Sequence, residues 1–439
     1  MGGIPASPLK RFVLLTRQWP ALIAFVFVLA TDVFNSFGLN DAADVQAASI
    51  TNVMTAPFYG ADARPGQNAI TVVVIDDYSR QQQHWPAPPP YGAQGDIIST
   101  IAMYQPAAIF FDFSYGAPHG ENAALEIQNL AQRIKDNSSN GGPPIFIGAV
   151  SDDPDLAPLR EIPSVGVTWT AQSWLPYPFY NGRQEMAAPR LYQEWCAYRQ
   201  RTLGADAKCS WRPPANGELS LQWGFGASAA MRDASPPPEA CALRDTRFAS
   251  RLRAAARNTW LAFIGQMPPS CVYSDTLNAA TLLQQADPEG LERLIKGRIV
   301  LVGTSYREAG DIQDIPNVGK VPGVYVHAMA LDNLIERGAN YTRPAPNVPG
   351  FGSLGWPDLI EIVMGFTLYL AAWFFFDRRS KAERSGAGAL ATFAVVGLAL
   401  VFAASFLEAA LHWPPLNILG VLVFVFAIFE YVHQRKEKS

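Results

Sequence analysis

Histidine is scarce in this chain, five in 439 residues, which leaves few candidates for a general base. Charged residues make up only 16% of it, and a net charge of −4 gives no basis for a nucleic acid partner. No Gly-x-Ser-x-Gly elbow, no phosphate-cradling Gly-Lys-Ser/Thr loop and no His-Glu-x-x-His pair occurs, so the common signatures of serine hydrolases, nucleotide binding and zinc proteases are missing. Gly303-Thr304-Ser305 is a single-glycine turn, too little for a nucleotide site. The four cysteines, Cys196, Cys209, Cys241 and Cys271, include no C-x-x-C pair, which argues against a zinc ribbon or a thioredoxin-like centre. The expectation is a protein that is not an enzyme and carries no cofactor.

Apolar residues, by contrast, are plentiful: 49% of the chain, with 25 Phe. Mean hydropathy is nevertheless only +0.05. Such a combination points to long hydrophobic spans beside an ordinary polar domain. Residues 19–37 form a first apolar segment, preceded by Lys10, Arg11 and Arg17 in an N-terminus of residues 1–18 and interrupted by Asp32. Its core, Ala21 to Ala30, resembles a signal-peptide core, but Val28-Leu29-Ala30 is a poor cleavage site because no polar stretch precedes it. The segment is read as an uncleaved membrane span. Three more follow at 359–376, 387–406 and 416–432, each near the roughly 20 residues a bilayer-crossing helix needs.

Basic residues flank the N-terminus, the loop from Asp377 to Arg384 and the tail 433–439, whereas the linker from Glu408 to Pro415 has no Lys or Arg. The positive-inside rule then predicts both termini in the cytoplasm and residues 38–355 outside. Trp356, Trp373 and Trp413 fall near the predicted interfaces. Glu361 and Glu430, close to span ends, are read as side chains at headgroup depth.

Within residues 38–355 the pattern is that of an α/β fold with a largely parallel sheet. After a helical connector, Ala42 to Tyr59, come the β-branched or apolar runs Ile70 to Ile75, Pro106 to Asp112 (ending in the acid), Ile145 to Val150 and Ile299 to Val302. These read as strands buried on both faces. Between them, Asp96 reads as the N-cap of a helix through Met103, and Ala123 to Lys135 as an amphipathic helix. A polar loop carrying Asp311 and Asp314 follows the last strand. Beyond it, Pro322-Gly323 reads as a turn, and Val324 to Val326 as a β-branched run leading into a helix at His327. The segment from Ser151 to Leu291 is read as a loop-rich elaboration held by disulfides. Cys196 with Cys209 and Cys241 with Cys271 is the simplest of three possible connectivities.

In parallel sheets ligands collect outside the carboxyl ends of the strands. That edge gathers Asp76, Asp77, Asp112 and Thr304, with Asp311, Asp314 and His327 nearby. These residues are the candidate ligand site. The acids could hold a cation through oxygen ligands, although no EF-hand spacing is present. The alternative, favoured here, is that they cap backbone N–H groups at loop starts.

Several stretches together resemble a known family. They are Val73-Val74-Ile75-Asp76-Asp77-Tyr78-Ser79, Trp85-Pro86, Ala107-Ala108-Ile109-Phe110-Phe111-Asp112, and Gly297-Arg298-Ile299-Val300-Leu301-Val302-Gly303-Thr304. Val321-Pro322-Gly323-Val324-Tyr325-Val326-His327-Ala328 and Leu331-Asp332-Asn333-Leu334 complete the set. Their order resembles the second type of CHASE domain, an extracellular sensory domain associated with cyclases and histidine kinases. One span before the domain and three after also resemble that family.

The resemblance implies an input domain facing the periplasm on a bacterial inner-membrane receptor. Seven residues follow Val432, too few for an output domain. The expectation is therefore a sensory or regulatory subunit that signals to a separate membrane or cytoplasmic effector protein. It could act within a homo- or hetero-oligomer. The alternative is a structural subunit of an envelope assembly that uses the same domain to bind protein.

Overall fold

The computed structural model describes residues 52–60, 64–168, 176–204, 207–234, 247–264, 272–306, 308, 311–315, 319–346, 348–349, 355–361, 363–364 and 367. The chain divides into two compact units, Asn52–Pro344 and Met1–Thr51 with Ala345–Ser439.

The first unit is built on a five-stranded parallel sheet whose spatial order is β3-β2-β5-β1-β4. In chain order its strands are β1 (Ile70–Ile75), β2 (Ala108–Phe111), β3 (Ile145–Ile147), β4 (Asp275–Asn278) and β5 (Ile299–Thr304). β5 lies in the middle, with Val302 paired to both Val73 and Phe111. Burial on both faces explains the unbroken apolar runs of β1, β2 and β5. The alternation inherent in a strand still sorts their side chains. Val72, Val74, Phe110 and Leu301 enter one core, while Val73, Ile75, Ile109, Phe111 and Val302 enter the other.

Helices cover both faces. On one side lie α3 (Tyr91–Met103), α4 (Ala123–Ser138), α7 (Ala279–Gln284) and α8 (Pro288–Ile295). On the other lie α5 (Ala187–Leu203) and α9 (Val324–Arg337). The short helices α1 (Pro65–Ala69) and α2 (Asp77–Gln83) bracket β1, and α6 (Phe248–Phe263) packs on the 3-10 turn Ala56–Phe58. An antiparallel ribbon of β6 (Ile312–Ile315) and β7 (Gly319–Pro322) joins β5 to α9.

Four expectations are corrected. Val324 to Val326 is the first turn of α9, not a strand. These residues are fully buried against the sheet, and packing there outweighs the β-propensity of branched side chains. Asp96 does not cap α3, which begins at Tyr91; its carboxylate pairs with Arg133 of α4. The polar loop after β5 contains the β6–β7 ribbon. The segment from Ser151 to Leu291 supplies two long helices, α5 and α6, and the edge strand β4.

Of the cysteines, Cys196 and Cys209 form a disulfide that ties α5 to the turn following it. Cys241 and Cys271 lie outside the described residues.

In the second unit, Asp358 accepts from the Gly355 N–H at 2.6 Å, where a helix starts. No helix of the described residues is long and apolar enough to cross a membrane. The segments 19–37, 387–406 and 416–432, and most of 359–376, lie outside the described residues.

The Cys196–Cys209 bridge closes a loop of 13 residues, for which chain entropy gives about 2–3 kcal/mol. Replacing both cysteines by serine should lower unfolding stability by that amount in chemical denaturation of the purified chain.

Candidate functional site

At the carboxyl edge of the sheet the seven predicted residues separate into different roles. Asp76 follows β1 and accepts from the Ser79 N–H at 2.7 Å, capping α2. That satisfies a backbone donor which the helix itself leaves unpaired. Asp77 is exposed and pairs with Arg80 at 3.4 Å, while Arg80 reaches Glu308 at 3.0 Å. Thr304 ends β5 opposite Ile75. The Asp311 carboxylate accepts from the Gly323 N–H at 3.2 Å, and its carbonyl accepts from the same group at 3.1 Å. Asp311 thereby closes the β6–β7 ribbon onto the start of α9. The approach is tight, since a Cβ on Gly323 would fall 2.4 Å from the Asp311 carboxylate. Asp314 sits in β6 opposite Lys320.

Asp112 and His327 come together as a buried pair. Asp112 follows β2, its N–H donating to the Val302 carbonyl at 2.8 Å. Its carboxyl oxygen is 3.8 Å from His327 Nε2, with side-chain exposures of 7% and 3% respectively. That separation is too long for a hydrogen bond. Burial pushes the Asp112 carboxyl well above the usual carboxylate range, and the nearby Asp311 raises it further. Burial also lowers His327 to about 4, against a smaller opposing effect of a hydrogen bond to the Val167 backbone. His327 is therefore neutral near pH 7, and burial disfavours the charged form of Asp112 beside it.

The Tyr177 hydroxyl accepts from the Ala188 N–H at 3.1 Å and shares a hydrogen bond with His327 Nδ1 at 2.8 Å. The Phe110 and Tyr177 rings stand edge-on to the imidazole, at 5.7 and 5.6 Å between centroids. Among the described residues no group of His, Cys, Asp or Glu is arranged to hold a metal ion. What the arrangement offers is a buried carboxyl beside a buried imidazole at the edge of the core.

A second polar cluster, at the amino edge of the sheet, escaped the sequence reading. Asp332 of α9 is buried, and the Tyr59 hydroxyl donates to it at 2.6 Å. Burial drives Asp332 well above the ordinary carboxylate range, partly opposed by the bond from Tyr59, while Glu336 raises it further. Glu336 accepts from the Gly66 N–H at 3.2 Å. Gly66 has no room for a side chain, because a Cβ there would lie 2.5 Å from the Asp332 carboxyl carbon. Gln67 donates to the carbonyls of Gly226 and Tyr273, at 2.9 and 2.6 Å. The visible signal was an acid inside the otherwise apolar run Ala328 to Leu331 and Leu334-Ile335.

The buried helix α9 thus links two polar clusters at opposite edges of a parallel sheet. The CHASE2 domain model matches residues 22–372, and the chain belongs to this family of sensory domains. No curated protein and no solved structure matches the chain.

Two predictions follow from these clusters. His327 is neutral in the folded state until about pH 4 but titrates near 6.5 when unfolded. Below pH 6.5 the unfolded chain binds a proton that the folded chain refuses, so His327 lowers stability as pH falls from 6.5 to 4. His327→Gln should flatten the fall in melting temperature over that window, with a difference of at most about 3 kcal/mol between its ends. Tyr59→Phe leaves Asp332 without its hydroxyl donor and should cost about 1–3 kcal/mol in denaturation. An unchanged midpoint would show that the bond carries no weight.

Proposed function

We propose that this chain is a membrane-anchored sensory subunit that relays a state of its CHASE2 domain to a separate effector protein. The supporting observation is the course of α9. Its first turn carries His327 at the carboxyl edge of the sheet. Its last turns carry Asp332 and Glu336, bonded to Tyr59 and Gly66 in the segment that leads into β1. A helix of 14 residues extends about 21 Å, so one rigid element touches both clusters. A ligand or proton accepted at the carboxyl edge would bias the position of α9. The shift would reach the segments through which the chain enters and leaves the domain.

In this reading the four apolar segments at 19–37, 359–376, 387–406 and 416–432 cross a bacterial inner membrane, with both termini cytoplasmic and the sensory domain periplasmic. The absence of Lys and Arg from Glu408 to Pro415 and their abundance from Asp377 to Arg384 support that orientation. Alkaline phosphatase fused within Glu408 to Pro415 should be active, and inactive when fused after Val432. The reverse pattern would overturn the orientation.

The relay is tested by extracting the full chain in mild detergent and identifying what co-purifies, for the wild type and for Gly66→Ala. The variant forces a methyl group against Asp332 and displaces α9 from the leading segment. A partner retained by both chains, with its activity altered only by the variant, is the expected result. A chain recovered alone in every preparation would overturn the relay. A partner lost outright with the variant, membrane insertion intact, would favour a structural subunit of an envelope assembly.

A further inference from the structure

Helix α6 is built inside out. Arg251, Ala255 and Asn258 face inward and are buried. Phe248, Leu252 and Trp260 are 71%, 53% and 62% exposed, and Ile264, the residue after the helix, is exposed as well. A spacing of four puts Phe248, Leu252, Ala256, Trp260 and Ile264 on one stripe. A helix that faces water on its outer side shows the opposite polarity. From Phe248 to Phe263 there is no Asp or Glu, and the exposed Arg253 and Arg257 flank the stripe. Large apolar side chains bordered by arginine are the composition of a helix lying in a bilayer interface. The packing of α6 is consistent with that place. The Phe248 ring lies tilted against that of Phe58 at 5.7 Å between centroids, and Ala254 packs with Ala56 and Phe225. Ala56–Phe58 is among the first parts of the domain that the chain reaches after the apolar segment 19–37.

We propose that α6 rests on the surface of an anionic lipid bilayer, its Phe248–Leu252–Trp260–Ile264 stripe at the boundary between headgroups and acyl chains and Arg253 against lipid phosphates. This inference rests on the reading of the chain as membrane-anchored. It adds a second attachment, made by the sensory domain itself, that holds Ala56–Phe58 at the interface.

The test uses the full chain in vesicles of phosphatidylethanolamine, with or without phosphatidylglycerol. A nitroxide is placed at Ala256→Cys, a second at Leu370→Cys within segment 359–376, and the signal of the unsubstituted chain is subtracted. In phosphatidylglycerol vesicles the label at 256 should be accessible to oxygen and shielded from a water-soluble nickel complex. The shielding should be lost when Arg253→Glu and Trp260→Ser are added, with circular dichroism confirming the fold. A label at 256 open to nickel while that at 370 is lipid-buried would overturn the proposal and leave the anchoring intact. Both labels open to nickel would overturn both. A label at 256 shielded from both reagents, with spin–spin broadening between chains, would overturn it in favour of contact between two copies.

Discussion

The constraint on which this domain depends is the burial of α9. Every residue from Val324 to Ile335 is removed from solvent, although three of them, His327, Asp332 and Asn333, are polar. A buried polar side chain without a partner costs about 1–3 kcal/mol, so each must be met by another part of the chain. His327 is met by Tyr177 at 2.8 Å and Asp332 by Tyr59 at 2.6 Å. Asn333 accepts from the Gln222 N–H at 3.0 Å and donates to the carbonyls of Gln222 and Met329, both at 2.8 Å. The three partners come from three distant stretches. Much of the irregular middle of the chain can be understood as the wall that α9 requires on the side away from the sheet. Tyr177, Trp195, Leu219 and Trp223 all join the same core as Met329 and Leu331.

Close approach of backbones makes this packing specific. Gly303 at the end of β5 lies so near α9 that a Cβ would fall 2.6 Å from that of Val324. Gly66 and Gly323 play the same part opposite Asp332 and Asp311. The helix is thus located by glycine contacts at both ends and by a polar contact on each of three sides. Since interiors pack as densely as organic crystals, an element held in this way moves as a body or not at all. That is the property a relay needs.

The sheet core was legible because the strands buried on both faces, β1, β2 and β5, write themselves as unbroken β-branched or aromatic runs. β4 was not, because an edge strand reading Asp-Thr-Leu-Asn, with alternate residues half exposed, carries no such run. Helix α5 was hidden behind prolines and cysteines, yet Ala187, Ala188, Leu191, Tyr192, Trp195 and Cys196 keep a helical spacing and are the residues it buries. The start of α9 was misread because Val324-Tyr325-Val326 has strand propensity, and tertiary burial decided otherwise. The acidic edge was visible as a group, whereas the division of labour within it was not. Whether a carboxyl group caps a helix, pairs with a cation or is buried is set by the loop geometry around it, as Asp76, Asp77 and Asp112 show within one sheet edge.

The two polar clusters differ in how their carboxyls are met. Around His327 the nearest carboxyl, Asp112, stands 3.8 Å away without a hydrogen bond to it, and burial disfavours the charged form of each. His327 itself is bonded to Tyr177 and to the Val167 backbone. Around Asp332 the 2.6 Å bond from Tyr59 and the crowding at Gly66 leave no slack. The carboxyl edge is nevertheless held by close backbone packing at Gly303 and Gly323, as the amino edge is at Gly66, so a change at either end of α9 is felt along its whole length.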